Sequence, residues 1–200
     1  MVGTMLHNIE GYDVILASRS PRRKTLLSGL GVAFRVITSN ADESVPPQTD
    51  AETAVRLISQ RKAHAVLAQA RENSLIIAAD TIVYIDGEIV GKPQTQAEAC
   101  LMLSKLSGRW HDVLTGVTLL SRGYEECFSV CSSVRFMKLS PEEISYYVEM
   151  ANPLDKAGAY GIQEWIGLVG IAEIRGSFYN VMGLPTSRLY AELKKVPCLC

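Results

Sequence analysis

"SLIIAADTIVYI" (74–85) is the most apolar run of the chain, and one charged residue, Asp80, sits in its middle. Its density of β-branched residues and the turn-forming Asp86-Gly87 behind it predict a long, buried central strand rather than a helix. Asp86-Gly87 is a strong two-residue hairpin signal, so "EIVGK" (88–92) is expected to fold back beside that strand. A carboxylate inside such a strand is costly unless a cation or a metal meets it. The same stretch therefore sets the centre of a sheet and marks a candidate site.

Working outward, the chain alternates strand-like and helix-like patterns. "YDVILAS" (12–18) reads as a short buried strand that runs into Ser20-Pro21, an N-cap followed by proline at the first helical position, with Gly31 to close the helix. "FRVITS" (34–39) predicts another strand, followed by a polar, proline-containing loop from Asn40 to Gln48. Thr49 and Glu52 form a capping-box pattern opening a helix to about Arg71. Thr95 and Glu98 repeat the pattern, with Gly108 ending that helix. "HDVLTGVTLLS" (111–121) and "CFSVCSSVRFMKL" (127–139) predict two longer strands joined by Arg122-Gly123, and Ser140-Pro141-Glu142-Glu143 opens a further helix. A glycine-rich segment (158–170) leads through more strand to a final helix near 185–195. This mixture of βα units and hairpins predicts an α/β fold with a mixed sheet, organised as a single domain over residues 1–200.

Composition narrows the function. The 200 residues are 48% hydrophobic and 20% charged, with a net charge of −1, the balance of a globular chain with ample core. No extended nucleic-acid contact is expected from that charge, so any anion must be bound by a local cluster. Five cysteines without a CxxC pair, of which only Cys198 and Cys200 are close in sequence, suggest reduced thiols and a cytoplasmic protein. The first eleven residues have neither a basic nor an apolar signal region, and no apolar run is long enough to span a bilayer, so no membrane association is expected.

Several residues break local rules. Arg22, Arg23 and Lys24 crowd the first turn of a helix, where the macrodipole favours acidic side chains. A solvated basic turn and a phosphate site account for them equally well, although no GxxxxGK[ST] loop is present. Lys62 falls between Val55, Ile58 and Val66 on a helical wheel, inside the apolar stripe, and must either snorkel or meet an anion. Lys92 follows on the hairpin arm and is a candidate partner for Asp80. Asp42 and Glu43 add carboxylates in the loop after the second strand. Two or three carboxylates with three or four cations are what a divalent metal and a polyphosphate require.

Six ordered blocks, "LASRSPRRKTLL", "AADTIV", "GKP", "SGRWHDVLTGV", "DKAGAYGIQ" and "GLP", span Leu16 to Pro185 and resemble the Maf family of nucleoside triphosphate pyrophosphatases. The resemblance implies an inosine triphosphatase-like fold, an elongated mixed sheet flanked by helices with two lobes around a cleft, often as a homodimer. It implies hydrolysis of a nucleoside triphosphate to the monophosphate and pyrophosphate with a divalent cation, Mg²⁺ or Mn²⁺, and an association with septum formation. By position, Asp80 resembles the family's proton acceptor, and Arg23, Thr81 and Gln163 match its specificity positions. Ser18, Arg22, Lys62 and Lys92 look like the phosphate-binding residues, with Glu43 beside Asp80 for the metal. The pattern resembles the branch acting on dTTP and UTP; the alternative is a nucleotide- or nucleic-acid-binding regulator of cell division with incidental turnover. A carboxamide at Gln163 suits the former, since it can accept from N3–H of uracil or thymine and donate to O4, whereas cytosine requires the amide to flip.

Overall fold

In the computed structural model, residues 5–46 and 48–199 are described. Among them, seven strands and seven α-helices follow in chain order: β1 (Asp13–Leu16), α1 (Pro21–Gly29), β2 (Arg35–Val36), α2 (Ala51–Leu67), β3 (Ser74–Ile85), β4 (Glu88–Val90), α3 (Gln96–Leu106), β5 (Trp110–Ser121), β6 (Tyr124–Phe136), α4 (Pro141–Ala151), α5 (Trp165–Gly170), β7 (Ile171–Arg175), α6 (Phe178–Met182) and α7 (Thr186–Leu193). The strands form one mixed sheet in the order β2-β1-β3-β5-β6-β7, with β4 on β3. β1 runs parallel to β2 and β3, while β4 is antiparallel to β3 and β7 to β6. The α/β class and the long central strand stand as expected, and β3 has the very bounds of the apolar run.

Local chemistry explains most boundaries. The Ser20 side chain caps α1 by accepting from Arg23 N, with Pro21 at the first position. Ser140 and Glu143 make a complete capping box on α4. Thr95 caps α3 by accepting from Glu98 N, but the Glu98 carboxylate turns to Gln94 N instead of closing the box. The cap of α2 is Asp50, which accepts from Thr53 N at 2.9 Å, because Thr49 donates its hydroxyl to Pro46 O. That helix ends at Leu67, four residues short of the expected Arg71. The strand expected over 34–39 is only β2, held in register by Ile15 and Leu16 of the short β1. The glycine-rich segment contains α5, and α6 follows β7; both are too short to carry a helical period.

The chain divides into two compact units. The first comprises the residues up to Asp80, Thr115–Val130 and those from Gly183 onward; the second comprises Thr81–Leu114 and Cys131–Met182. In the first unit Ala63 and Val66 of α2 pack on Ile15, Ala17, Ile76, Ala78 and Leu120. Gly116 permits that approach, since a Cβ there would lie 2.3 Å from the Val55 carbonyl oxygen. In the second unit α3 and α4 cover Val83, Ile85, Val113, Val134 and Phe136, together with Tyr160 and Ile162. His111 is buried there, stacked on Phe136 and hydrogen-bonded through Nε2 to the Tyr160 hydroxyl at 2.8 Å, a structural role. Among the described residues no helix is long and apolar enough to cross a membrane. Among the described residues, Cys100, Cys127, Cys131 and Cys198 form no disulfide; Cys200 and residues 1–4 lie outside the described residues.

Candidate active site

Strand alternation brings Ile76, Ala78 and Asp80 to one face of β3, the face on which α2 packs. Lys62, on the buried side of α2 at 8% exposure, therefore does not snorkel. Its Nζ donates to Asp80 Oδ1 at 2.5 Å and lies 2.8 Å from Glu43 Oε1. Lys62 is thus the cation that offsets the buried Asp80 carboxylate, itself only 7% exposed. The loop carrying Glu43 is fixed on α2 by its neighbours. Asp42 accepts from the backbone N–H and hydroxyl of Ser44, and those bonds hold its carboxyl below the ordinary aspartate range. Arg61 donates to the Ser44 carbonyl. Asp42 is therefore a loop former, and Glu43 is the carboxylate that joins the cluster.

The basic first turn of α1 is not simply solvated. Arg23 donates from Nε to Gly183 O and from Nη1 to Ala79 O, both at 2.8 Å, and Nη1 lies 3.4 Å from Ser18 Oγ. Burial pulls the Arg23 guanidinium below its ordinary value, against the field of Asp80; Arg22 adds to the lowering and Glu43 opposes it. Arg23 ties the strand beside Asp80 to the C-terminal "GLP" segment. Ser18 is buried, with its hydroxyl accepting from Ser20 N at 3.2 Å, and Arg22 is half-buried.

In the second unit, Thr81 follows Asp80 directly on β3 and is half-buried, while Lys92 is exposed just beyond β4. Gly158 N donates to Gly91 O at 3.0 Å, which anchors the chain beside Lys92 to the "DKAGAYGIQ" loop. At the end of that loop the Gln163 side chain is exposed and donates from Nε2 to Glu164 Oε1 at 3.3 Å. Glu164 in turn accepts from the Tyr147 hydroxyl and lies 3.3 Å from Lys156 Nζ. Glu164 and Lys156 escaped the sequence analysis because they lie outside regular elements and have no period to violate, and Tyr147 because it fits the apolar side of α4 like any core residue. The only signal was the lysine in a motif otherwise rich in glycine and alanine.

No cluster of three or more metal-ligating side chains exists among the described residues. Glu43 and Asp80 nonetheless fit a hard cation such as Mg²⁺, which takes oxygen donors, is held by one or two carboxylates and completes its shell with water and substrate phosphates.

A family model described as "Maf-like protein" matches residues 13–196. The chain belongs to the Maf family. Relatives in this family include proteins named dTTP/UTP pyrophosphatase from Phocaeicola vulgatus, 51% identical over 96% of this chain and all of the relative, and from Bacteroides thetaiotaomicron, 50% identical with the same coverage. A third so named, from Porphyromonas gingivalis, is 49% identical over 95% of this chain and 97% of its own. Among solved structures, the Staphylococcus aureus Ham1 protein superposes on 62% of this chain and 71% of its own with a TM-score of 0.42 and 15% identity.

Proposed function

We propose that this Maf protein hydrolyses dTTP and UTP to the nucleoside monophosphate and pyrophosphate. The observation that carries the chemistry is the buried Lys62 holding Asp80 and Glu43 together; the names of relatives near 50% identity support the substrates. Asp80 Oδ1 is engaged by Lys62, and Oδ2 is the oxygen that takes the proton from a water attacking the α-phosphorus. As the α–β phosphoanhydride breaks, negative charge grows on the departing pyrophosphate. Arg22, Lys62, Lys92 and the N-terminus of α1 with Ser18 are the groups assigned to it. Arg23 contributes by fixing the Ala79 carbonyl beside Asp80. A Mg²⁺ or Mn²⁺ ion held by Glu43 and Asp80 would neutralise phosphate charge.

Gln163, Thr81 and Arg23 are assigned to the base. A carboxamide can accept from N3–H and donate to O4, a face shared by uracil, thymine and uracils modified at C5. The same reading gives a cytoplasmic enzyme, for which cysteines that form no disulfide among the described residues are support, working as a homodimer. The test is a screen of dTTP, UTP, CTP and GTP with Mg²⁺ and with Mn²⁺, separating pyrophosphate from orthophosphate. Pyrophosphate released fastest from dTTP and UTP is expected; stepwise orthophosphate, or a preference for GTP, would overturn the reading.

A further inference from the structure

A primary amide is nearly symmetric in shape but not in chemistry: one side accepts, the other donates, and a half-turn exchanges them. A glutamine that reads a base edge therefore discriminates only if something fixes which way it faces. Gln163 has such a neighbour. Its Nε2 donates to Glu164 Oε1 at 3.3 Å, and a carboxylate, which only accepts, rejects the flipped amide because two acceptors would then meet without a proton between them.

Glu164 is itself held on several sides. Its Oε2 accepts from the hydroxyl of Tyr147, a fully buried side chain on α4 whose oxygen also accepts from Gly161 N at 3.0 Å. Its Oε1 lies 3.3 Å from Nζ of Lys156, which is 7% exposed and paired also with Asp155 at 2.7 Å. The backbone closes the remaining side. A Cβ on Gly161 would fall 2.8 Å from Glu164 Oε1 and 2.9 Å from Gln163 Nε2, so the chain packs against this very pair and a side chain there would displace it.

We infer that Glu164 is a positioning residue that locks the Gln163 amide with its carbonyl turned outward, and that this lock sets the choice of uracil and thymine over cytosine. The inference rests on the reading of Gln163 as the base-reading group. With the NH₂ group held at Glu164, Gln163 Oε1 accepts from N3–H and the second N–H is left for O4. Cytosine offers an acceptor at N3 and a donor at N4, and so needs the amide reversed. The carboxylate forbids that reversal. Thymine and uracil are not distinguished, since the methyl group lies at C5, away from the edge being read.

The experiment is kcat/KM for UTP, dTTP and CTP with the full chain and three variants. Glu164→Gln keeps shape but can present either a donor or an acceptor to Gln163, so the UTP-to-CTP preference should fall by about tenfold while dTTP tracks UTP. Gly161→Ala wedges the amide from the carboxylate without altering either, and should lower the same ratio. Gln163→Ala separates the lock from the reading on which it rests. A ratio unchanged in Gln163→Ala shows that Gln163 does not read the base and removes both. A ratio that collapses in Gln163→Ala but stays at the wild-type value in folded Glu164→Gln and Gly161→Ala overturns the lock alone.

Discussion

Each of the two units contains a buried lysine bridging two carboxylates. Lys62 holds Asp80 at 2.5 Å and Glu43 at 2.8 Å; Lys156 holds Asp155 at 2.7 Å and Glu164 at 3.3 Å. The difference lies in what else the carboxylates do. Asp80 is 7% exposed and, among the described residues, its hydrogen-bond donor is Lys62. Glu164 adds the Tyr147 hydroxyl and the Gln163 amide to its lysine. A carboxylate with most of its lone pairs to spare can accept a proton or ligate a cation, whereas one already shared among three donors serves to hold its neighbours still. The same charge motif thus yields a reactive group in one unit and an orienting group in the other.

The largest way to break this comparison is Lys62→Met. It leaves Asp80 charged and buried without its partner, so a loss of about 3–5 kcal/mol in unfolding free energy is expected along with loss of turnover. Adding Asp80→Asn to that variant should restore most of the stability and none of the activity. Denaturant titration of both proteins checks this, and equal stability of wild type and Lys62→Met would mean that the lysine is not the counter-ion.

Next is Asp80→Asn alone. Removing the proton acceptor should lower kcat by at least about a hundredfold, near 3 kcal/mol of barrier, while cooperative unfolding persists because Lys62 keeps Glu43. Full activity in this variant would return Asp80 to a purely structural role.

In the second unit the expected pH effect comes from His111. Burial lowers its pKa to about 4 from an ordinary 6.5, with Asp112 opposing. Between those values the unfolded chain binds a proton that the folded chain refuses, so stability is complete above pH 6.5 and declines as the pH falls toward 4. The accumulated loss is about 3 kcal/mol, and His111→Phe should flatten that part of the profile. Unfolding curves from pH 7 to pH 4 on both proteins decide it.

The smallest effect is Ser140→Ala. It removes the capping box of α4, which carries Tyr147, and should cost about 1 kcal/mol in stability. The UTP-to-CTP preference should stay as in wild type, in contrast to the fall expected from Glu164→Gln.

How much of this could be read beforehand depends on periodicity. Asp80 and Lys62 were visible because each violates a regular pattern, one inside a strand and the other inside an apolar helical stripe. Their pairing was not legible, since Lys92 on the adjacent hairpin arm was the nearer candidate in sequence; the face shared by α2 and Asp80 decides for Lys62. The cap of α2 was misplaced by one residue because Thr49 and Asp50 are both good caps, and the choice turns on the Pro46 carbonyl. Glu164 and Tyr147 could not be found at all. Tyr147 looks like an ordinary core residue of α4, and its hydroxyl acquires a purpose only when the "DKAGAYGIQ" loop is laid across it.

The central claim, attack of an Asp80-activated water on the α-phosphorus, is tested most directly by hydrolysing UTP in ¹⁸O-water and locating the label by ³¹P NMR. The account predicts ¹⁸O in the uridine monophosphate and unlabelled pyrophosphate. Label in pyrophosphate, signifying attack at the β-phosphorus, or label in orthophosphate would contradict it.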